Sequence, residues 1–351
     1  MIKNKSLKKS VIIILLIISS IGINIDAYSQ VGSYAGSFSR FGFGARGMGM
    51  GNAMVSNIFG DASGYYNPAL ACFQEKGVVN LGYTFLSMDR KLNFIGFSKK
   101  FKLPQQDKGG AGISFSLINS GVSNIDGRDN DGTQIGSFST YENQFYLGTS
   151  FLLSENFAAG VGFKMYLSKL FTDVTTTSVA FDIGAVYKHS DNLSFGVAVR
   201  DISAKYKWDT SDLYGSNGNT TEDKFPVIIN LGSSYLLPKN FGSVSLEFES
   251  YLNPKIKDKT TGETKERKNI SYLKAGGEIN LNEYIKVRAG IDRIDFANST
   301  EDIGGNLKPS FGVGFVKPFS KSIMLGLDYS FQIEPYSKDP IQNVGVIFKF
   351  N

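Results

Sequence analysis

The stretch "NFAAGVGFKMYL" (residues 156–167) decides the fold. Phe157, Ala159, Val161, Phe163, Met165 and Leu167 fall on one side of an extended chain; Ala158, Gly160, Gly162, Lys164 and Tyr166 fall on the other. One side is apolar, and the other is small, polar or charged. Alternation with period two is a strand signal, and this strand is long. Soluble strands typically run about five or six residues, whereas a tilted strand needs about nine to eleven to cross a bilayer.

The same pattern recurs along the chain. In "EYIKVRAGID" (283–292), Ile285, Val287, Ala289 and Ile291 stand opposite Tyr284, Lys286, Arg288 and Asp292. In "SIMLGLDYSFQ" (322–332), Ile323, Leu325, Leu327, Tyr329 and Phe331 oppose Gly326, Asp328 and Ser330. About fourteen such strands are expected, an even number as in bacterial barrels, starting near Gly77, Lys91, Gly109, Thr140, Asn156, Ser178, Asp191, Pro226, Asn240, Asn269, Glu283, Leu307, Ser320 and Ile341. Their connections alternate in length. "LSEN", "KHSD", "LPKN", "NLNE" and "KPFSK" are tight turns, separated by polar loops such as "DISAKYKWDTSDLYGSNGNTTEDKF", "LNPKIKDKTTGETKERKN" and "RIDFANSTEDIGGN". Short turns on one rim and long loops on the other mark an outer-membrane barrel with its short turns in the periplasm. The expected fold is all-β: a closed antiparallel transmembrane β-barrel over residues 77–351.

The start of the chain agrees with export. Lys3, Lys5, Lys8 and Lys9 precede the apolar run "VIIILLIISSIGI", and Ala27 and Ser29 supply small residues for cleavage, so residues 1–29 read as a signal peptide. The formal charge is +5; the leader's four lysines and Asp26 carry a net +3 of it, leaving +2. That near balance gives no reason to expect nucleic acid as a partner. The single cysteine, Cys72, cannot form an internal disulfide. Localisation in the outer membrane of a Gram-negative bacterium follows, with outer-membrane lipid and lipopolysaccharide as surroundings.

In lipid every backbone amide must be paired internally, which a closed sheet achieves without a free edge. The apolar faces then meet lipid. The other faces line a lumen carrying Asp182, Arg200, Glu247, Glu249, Lys274, Glu278, Lys286, Arg288, Asp292 and Asp328. Such a mixture either lines a path for an amphipathic solute or forms ion pairs that fill the interior, and the second is favoured. Tyr187, Tyr235, Tyr251 and Phe331 fall near strand ends, where aromatic girdles sit.

Residues 30–76 precede the first strand and lack period two. Within them, "FGFGARGMGMGNA" (41–53) places Gly42, Gly44 and Gly47 at the spacing of a dinucleotide-binding turn. No apolar strand precedes these glycines and no βαβ unit follows, so backbone packing explains them better. Continuing through Asp61 to Asn67, Pro68 and Ala69, the sequence "GARGMGMGNAMVSNIFGDASGYYNPAL" (44–70) resembles the N-terminal signature of the FadL-like outer-membrane proteins. The superfamily includes fatty-acid and hydrocarbon transporters and the PorV/PorQ proteins that work with type IX secretion. The resemblance implies a fourteen-stranded barrel with an N-terminal hatch, here residues 30–76, inside its lumen. Arg46 is then expected to pair with a carboxylate of the wall.

Other chemistry finds little support. His189 is the only histidine, which removes His-based triads and His-rich metal sites. "DGRDNDG" (126–132) reads as an acidic external loop, since an EF-hand register would put Phe138 where a bidentate carboxylate is needed. No enzyme, metal or cofactor is expected. Two functions remain open: an interaction protein of the secretion apparatus, or a passive transporter of hydrophobic small molecules. The loop "GVSNIDGRDNDGTQIGSFS" (121–139) lacks an apolar helical insert for collecting substrate, which tilts the sequence reading towards the PorV/PorQ-type interaction role.

Overall fold

The computed structural model describes residues 34–103, 109–257, 264–266, 268–295, 306–335, 337 and 339–351. The expected signal peptide lies outside them. Fourteen antiparallel strands close into a barrel in which each pairs with the barrel strands before and after it in the chain and the first pairs with the last. In chain order they are β1 (Gly77–Phe85), β2 (Lys91–Phe101), β3 (Gly110–Arg128), β4 (Gln134–Ser154), β5 (Phe157–Phe171), β6 (Val174–Lys188) and β7 (Leu193–Ile202). The second half comprises β10 (Val227–Leu236), β11 (Gly242–Leu252), β14 (Ile270–Asn280), β15 (Ile285–Asp295), β16 (Lys308–Pro318), β17 (Ile323–Gln332) and β18 (Ile341–Phe350). Two accessory hairpins rise from the long-loop rim: β8 (Lys205–Asp209) with β9 (Thr220–Lys224), and β12 (Lys255–Lys257) with β13 (Thr264–Glu266).

The alternation read from the sequence is the alternation of the wall. In β5, Val161 and Phe163 are exposed, while Gly160, Gly162, Lys164 and Tyr166 are buried. The outward side chains of neighbouring strands, including Ile183, Val197, Leu231, Leu246 and Leu327, form an exposed apolar belt. Water would penalise so large an apolar surface, and a bilayer would not. A charge in this belt is expected to act strongly. Val161 is 57% exposed and sits mid-belt, paired with Thr149 and Ile183. Val161→Arg should lower stability by about 2–4 kcal/mol, against roughly 0–1 kcal/mol for Ser190→Arg in a short turn. Urea titration followed by heat-modifiable gel migration measures both. Equal tolerance would mean that Val161 does not face lipid.

Three details differ from the sequence reading. First, β4 begins at Gln134 and β6 at Val174, several residues earlier than expected, because these strands continue beyond the span a bilayer needs. Segments read as loops after β3, β7 and β11 therefore contain regular pairing. Second, Tyr251 does not join a girdle. It shares its face with Glu247 and Glu249, is 2% exposed, and donates its hydroxyl to Glu249 Oε1 at 2.9 Å. Tyr187 and Tyr235 do face outward. Third, the acidic "DGRDNDG" loop closes on itself: Asp129 Oδ1 accepts the amides of Asp131 and Thr133, and Asp126 pairs with Arg128 at 2.8 Å.

Candidate functional site

Residues 34–76 occupy the barrel interior and touch the wall on opposite sides. The short helix Gly44–Gly49 lies against β15–β18 and β1, and the 3-10 helix Pro68–Phe73 lies against β2–β6. Between them an apolar cluster including Phe38, Phe43, Met54, Tyr65, Leu70 and Phe94 is buried.

Close approach of this segment requires bare backbone on the wall. A methyl group built on Gly184 would fall 2.0 Å from Asn67 Oδ1; one on Gly290 would fall 2.2 Å from the Gly51 nitrogen. Gly160, Gly196 and Gly276 meet the backbone of Pro68, Val55 and Met50 in the same way. The inner wall thus carries a girdle of glycines into which the segment seats. Within the segment, a methyl on Gly47 would fall 2.0 Å from the Tyr66 hydroxyl. That hydroxyl accepts the Phe43 amide (2.9 Å) and donates to Asn52 Oδ1 (2.9 Å). Gly42 and Gly44 have φ of 118° and 77°, a region open mainly to glycine. These three glycines serve packing. The helix they enclose spans six residues and follows no strand.

The Asn-Pro-Ala stretch has an equally local cause. Asn67 caps the 3-10 helix, its Oδ1 accepting the Ala69 amide at 3.0 Å, and Pro68 takes the first helical position, where no amide hydrogen is needed. Asn67 Nδ2 donates to the Val55 carbonyl at 2.9 Å and to the wall carbonyls of Ala185 and Val197, both at 3.1 Å. Ala69 is wholly buried. One asparagine therefore caps a helix, ties two parts of the segment together and fixes both to β6 and β7.

The charged residues of the lumen form ion pairs. In one group Glu278 accepts Arg46 Nε at 3.1 Å and Arg288 Nε at 2.7 Å, with Lys286 Nζ at 3.5 Å. Arg288 also meets Asp328 at 3.1 Å. Arg46 donates further to the Asp61 and Phe59 carbonyls, and the Asp61 carboxylate meets Lys349 at 2.7 Å. Burial alone would raise the Asp61 pKa, but Lys349 and Arg46 more than offset it and hold it below the ordinary carboxylate value. The stabilisation from this pair is therefore full above that ordinary value and is lost as pH falls through the lowered one.

In a second group Glu249 accepts Arg200 (3.0 Å) and Lys274 (2.7 Å), and Glu247 accepts the Val55 amide at 2.8 Å. Asp182 stands apart from both, pairing with Lys164 at 2.9 Å; Lys164 also meets Asp201 at 2.7 Å. Asp292 accepts Asn52 Nδ2 at 3.1 Å. Lys164, Asp201 and Lys349 were not among the residues expected at the site. Lys164 and Lys349 lie on the inward parity of their strands, which was the available signal; Asp201 sits at a strand end with φ of 60° and gave none. Cys72 is buried with Sγ 3.2 Å from Ser150 Oγ, and His189 is exposed beside Tyr187 and Phe195.

Towards the long-loop rim, aromatic rings close the interior. Tyr166 packs on Phe38 (6.3 Å between centroids) and Phe225 (4.9 Å), and Tyr206 of the β8–β9 hairpin packs on Phe225 at 4.8 Å. The Tyr166 hydroxyl donates to Asp201 at 2.7 Å, and the Tyr206 hydroxyl to Glu142 at 3.3 Å. Below them, a cavity of about 30 Å³ lies between the Gly44–Gly49 helix and β1 and β18, with Arg46, Asp61, Tyr66 and Asp328 in its lining. That volume holds about one water molecule.

A closed barrel with an apolar outer belt and a filled, ion-paired lumen is an outer-membrane protein. No family model matches the sequence, and no curated protein matches it. Solved structures do match in fold. A mutant of the TodX monoaromatic hydrocarbon channel aligns with a TM-score of 0.61 at 14% identity, over 88% of this chain and 99% of that one. The toluene transporter TbuX of Ralstonia pickettii aligns at 0.57 and 12% identity, over 88% and 98%. A FadL homologue of Pseudomonas aeruginosa aligns at 0.52 and 13% identity, over 87% and 96%. The structural neighbours are thus FadL-family outer-membrane channels, and the shared feature is the fold.

Proposed function

We propose that this chain is an outer-membrane channel for small hydrophobic molecules, with residues 34–76 as the hatch that closes its lumen. The observation that carries the reading is the likeness of nearly the whole chain to hydrocarbon channels. It favours transport over the secretion-associated role towards which the sequence leaned. The buried aromatic rings beneath the long-loop rim add a surface suited to a ring-shaped apolar solute. Because the lumen is filled, passage requires the segment or its aromatic cover to shift.

Uptake of radiolabelled toluene by cells with an otherwise intact outer membrane, with and without the expressed chain, tests this. Several-fold faster uptake is expected, and Phe225→Ala should alter the rate without loss of the folded barrel. Identical uptake with and without the chain would remove the transport reading. The resemblance of residues 44–70 to the FadL-like superfamily, which also includes the PorV/PorQ proteins, would then make co-purification with secretion components the next measurement.

A further inference from the structure

The hairpin of β3 and β4 outruns its neighbours. β2 pairs with β3 only as far as Gly121, and β5 pairs with β4 only from Tyr141. Residues 122–140 therefore form a two-stranded ribbon beyond the sheet, on the long-loop rim, with two edges that pair with no other strand among the described residues. The edges differ. That of β3 is interrupted by a bulge between Val122 and Ile125, with Asn124 at φ 59°, and it carries Asp126 and Arg128. Bulges and charges are the usual means of preventing strand addition. The edge of β4 bulges only near the tip, where Ile135, 62% exposed, stands unpaired between Gln134 and Gly136; from there "GSFST" (136–140) has no bulge of its own, no charge and no proline. Phe138, Phe171 and the exposed Leu170 form an apolar shelf at its base.

We propose that the β4 edge at residues 136–140 accepts an extended strand of a partner protein by β-addition. A second copy of this chain is the wrong occupant. Two barrels in one membrane are related by an axis along the membrane normal, which cannot bring two inclined copies of one strand into antiparallel register. The charge at the ribbon tip selects further: Asp126, Asp129 and Asp131 outweigh Arg128. The partner strand alternates apolar and polar residues, for the shelf, and carries a basic residue towards the tip. Main-chain hydrogen bonds supply the affinity and the shelf supplies register.

The full chain in lipid nanodiscs, mixed with the synthetic peptide KVTVTVTK, gives the test by hydrogen–deuterium exchange. Amides in residues 136–140 should slow by about tenfold or more, while the same peptide N-methylated at alternate residues has no effect. Ser139→Pro and Ser137→Lys should each abolish the protection with heat-modifiable migration unchanged; either variant alone suffices if the other fails to assemble. Absence of protection by KVTVTVTK overturns the proposal, as does equal protection by the methylated peptide. A concentration-dependent dimer that Ser139→Pro dissolves would also overturn it, in favour of a second copy.

Discussion

Glu278→Ala should be among the most damaging single substitutions in this barrel, lowering stability by about 3–5 kcal/mol. The carboxylate is buried and faces three cations, Arg46, Arg288 and Lys286. Its removal leaves Asp328 as the remaining ion-pair partner of Arg288 and takes from Arg46 its only carboxylate contact among the described residues. Breaking a buried pair on one side is worse than never having it, because an uncompensated charge stays out of water. Glu278→Gln keeps hydrogen-bond acceptance but loses the charge, and should fall between the wild type and Glu278→Ala.

A double-mutant cycle with Arg46→Ala separates wall stability from anchoring of the N-terminal segment. A coupling of about 0.5–3 kcal/mol is expected for groups in direct contact. Urea unfolding read by heat-modifiable migration supplies each term. A loss below about 1 kcal/mol for Glu278→Ala would resemble an exposed pair, and the lumen would then have to be wet at this level.

What could be read from the sequence follows from what selects each residue. Val161 and Phe163 must face lipid while Gly162 and Lys164 must not, so the chain carries the wall's parity openly, and the tight turns bound its strands. Parity ran out where lipid did. Above the membrane nothing demands an apolar alternation, so the sequence carries no parity signal for the first residues of β4 and β6 or for the β8–β9 hairpin. Parity does hold at Tyr251, whose position two residues after Glu249 puts it inside and not in a girdle.

The pairings within the lumen were hidden for a different reason. Parity shows that Glu278 points inward, yet nothing local says that it meets Arg46, 232 positions earlier. The N-terminal segment has no period, because its contacts radiate to many strands instead of one face. The absence of a preceding strand rules out a nucleotide turn for its glycines, but their partners are invisible locally: Gly49 meets Gly312 and Gly51 meets Gly290 of the wall, so that both sides of these close contacts lack side chains.

Removing residues 30–71 should convert the closed barrel into an open channel. The fourteen strands are joined to one another all round, so the deletion exposes lumen surface but no sheet edge. The layer where the segment seats is lined by wall glycines, so its removal leaves bare backbone there and little to refill the space. The remaining charges keep partners: Arg288 holds Glu278 and Asp328, and Lys274 holds Glu249. Water entering the lumen would solvate the rest. Single-channel conductance in planar bilayers should rise roughly tenfold or more over the full-length protein, since a fourteen-stranded lumen is wider than the eight-stranded size that side chains alone can fill. Gly47→Val should give a smaller rise, by driving Tyr66 away from the Phe43 and Asn52 groups it holds. A deletion variant that inserts but conducts no better would show that the aromatic cover of Tyr166, Tyr206 and Phe225 seals the mouth by itself. A variant that fails to insert, while Gly47→Val inserts normally, would instead make the segment part of the unit that folds the wall, and residues 34–76 would lose the role of hatch.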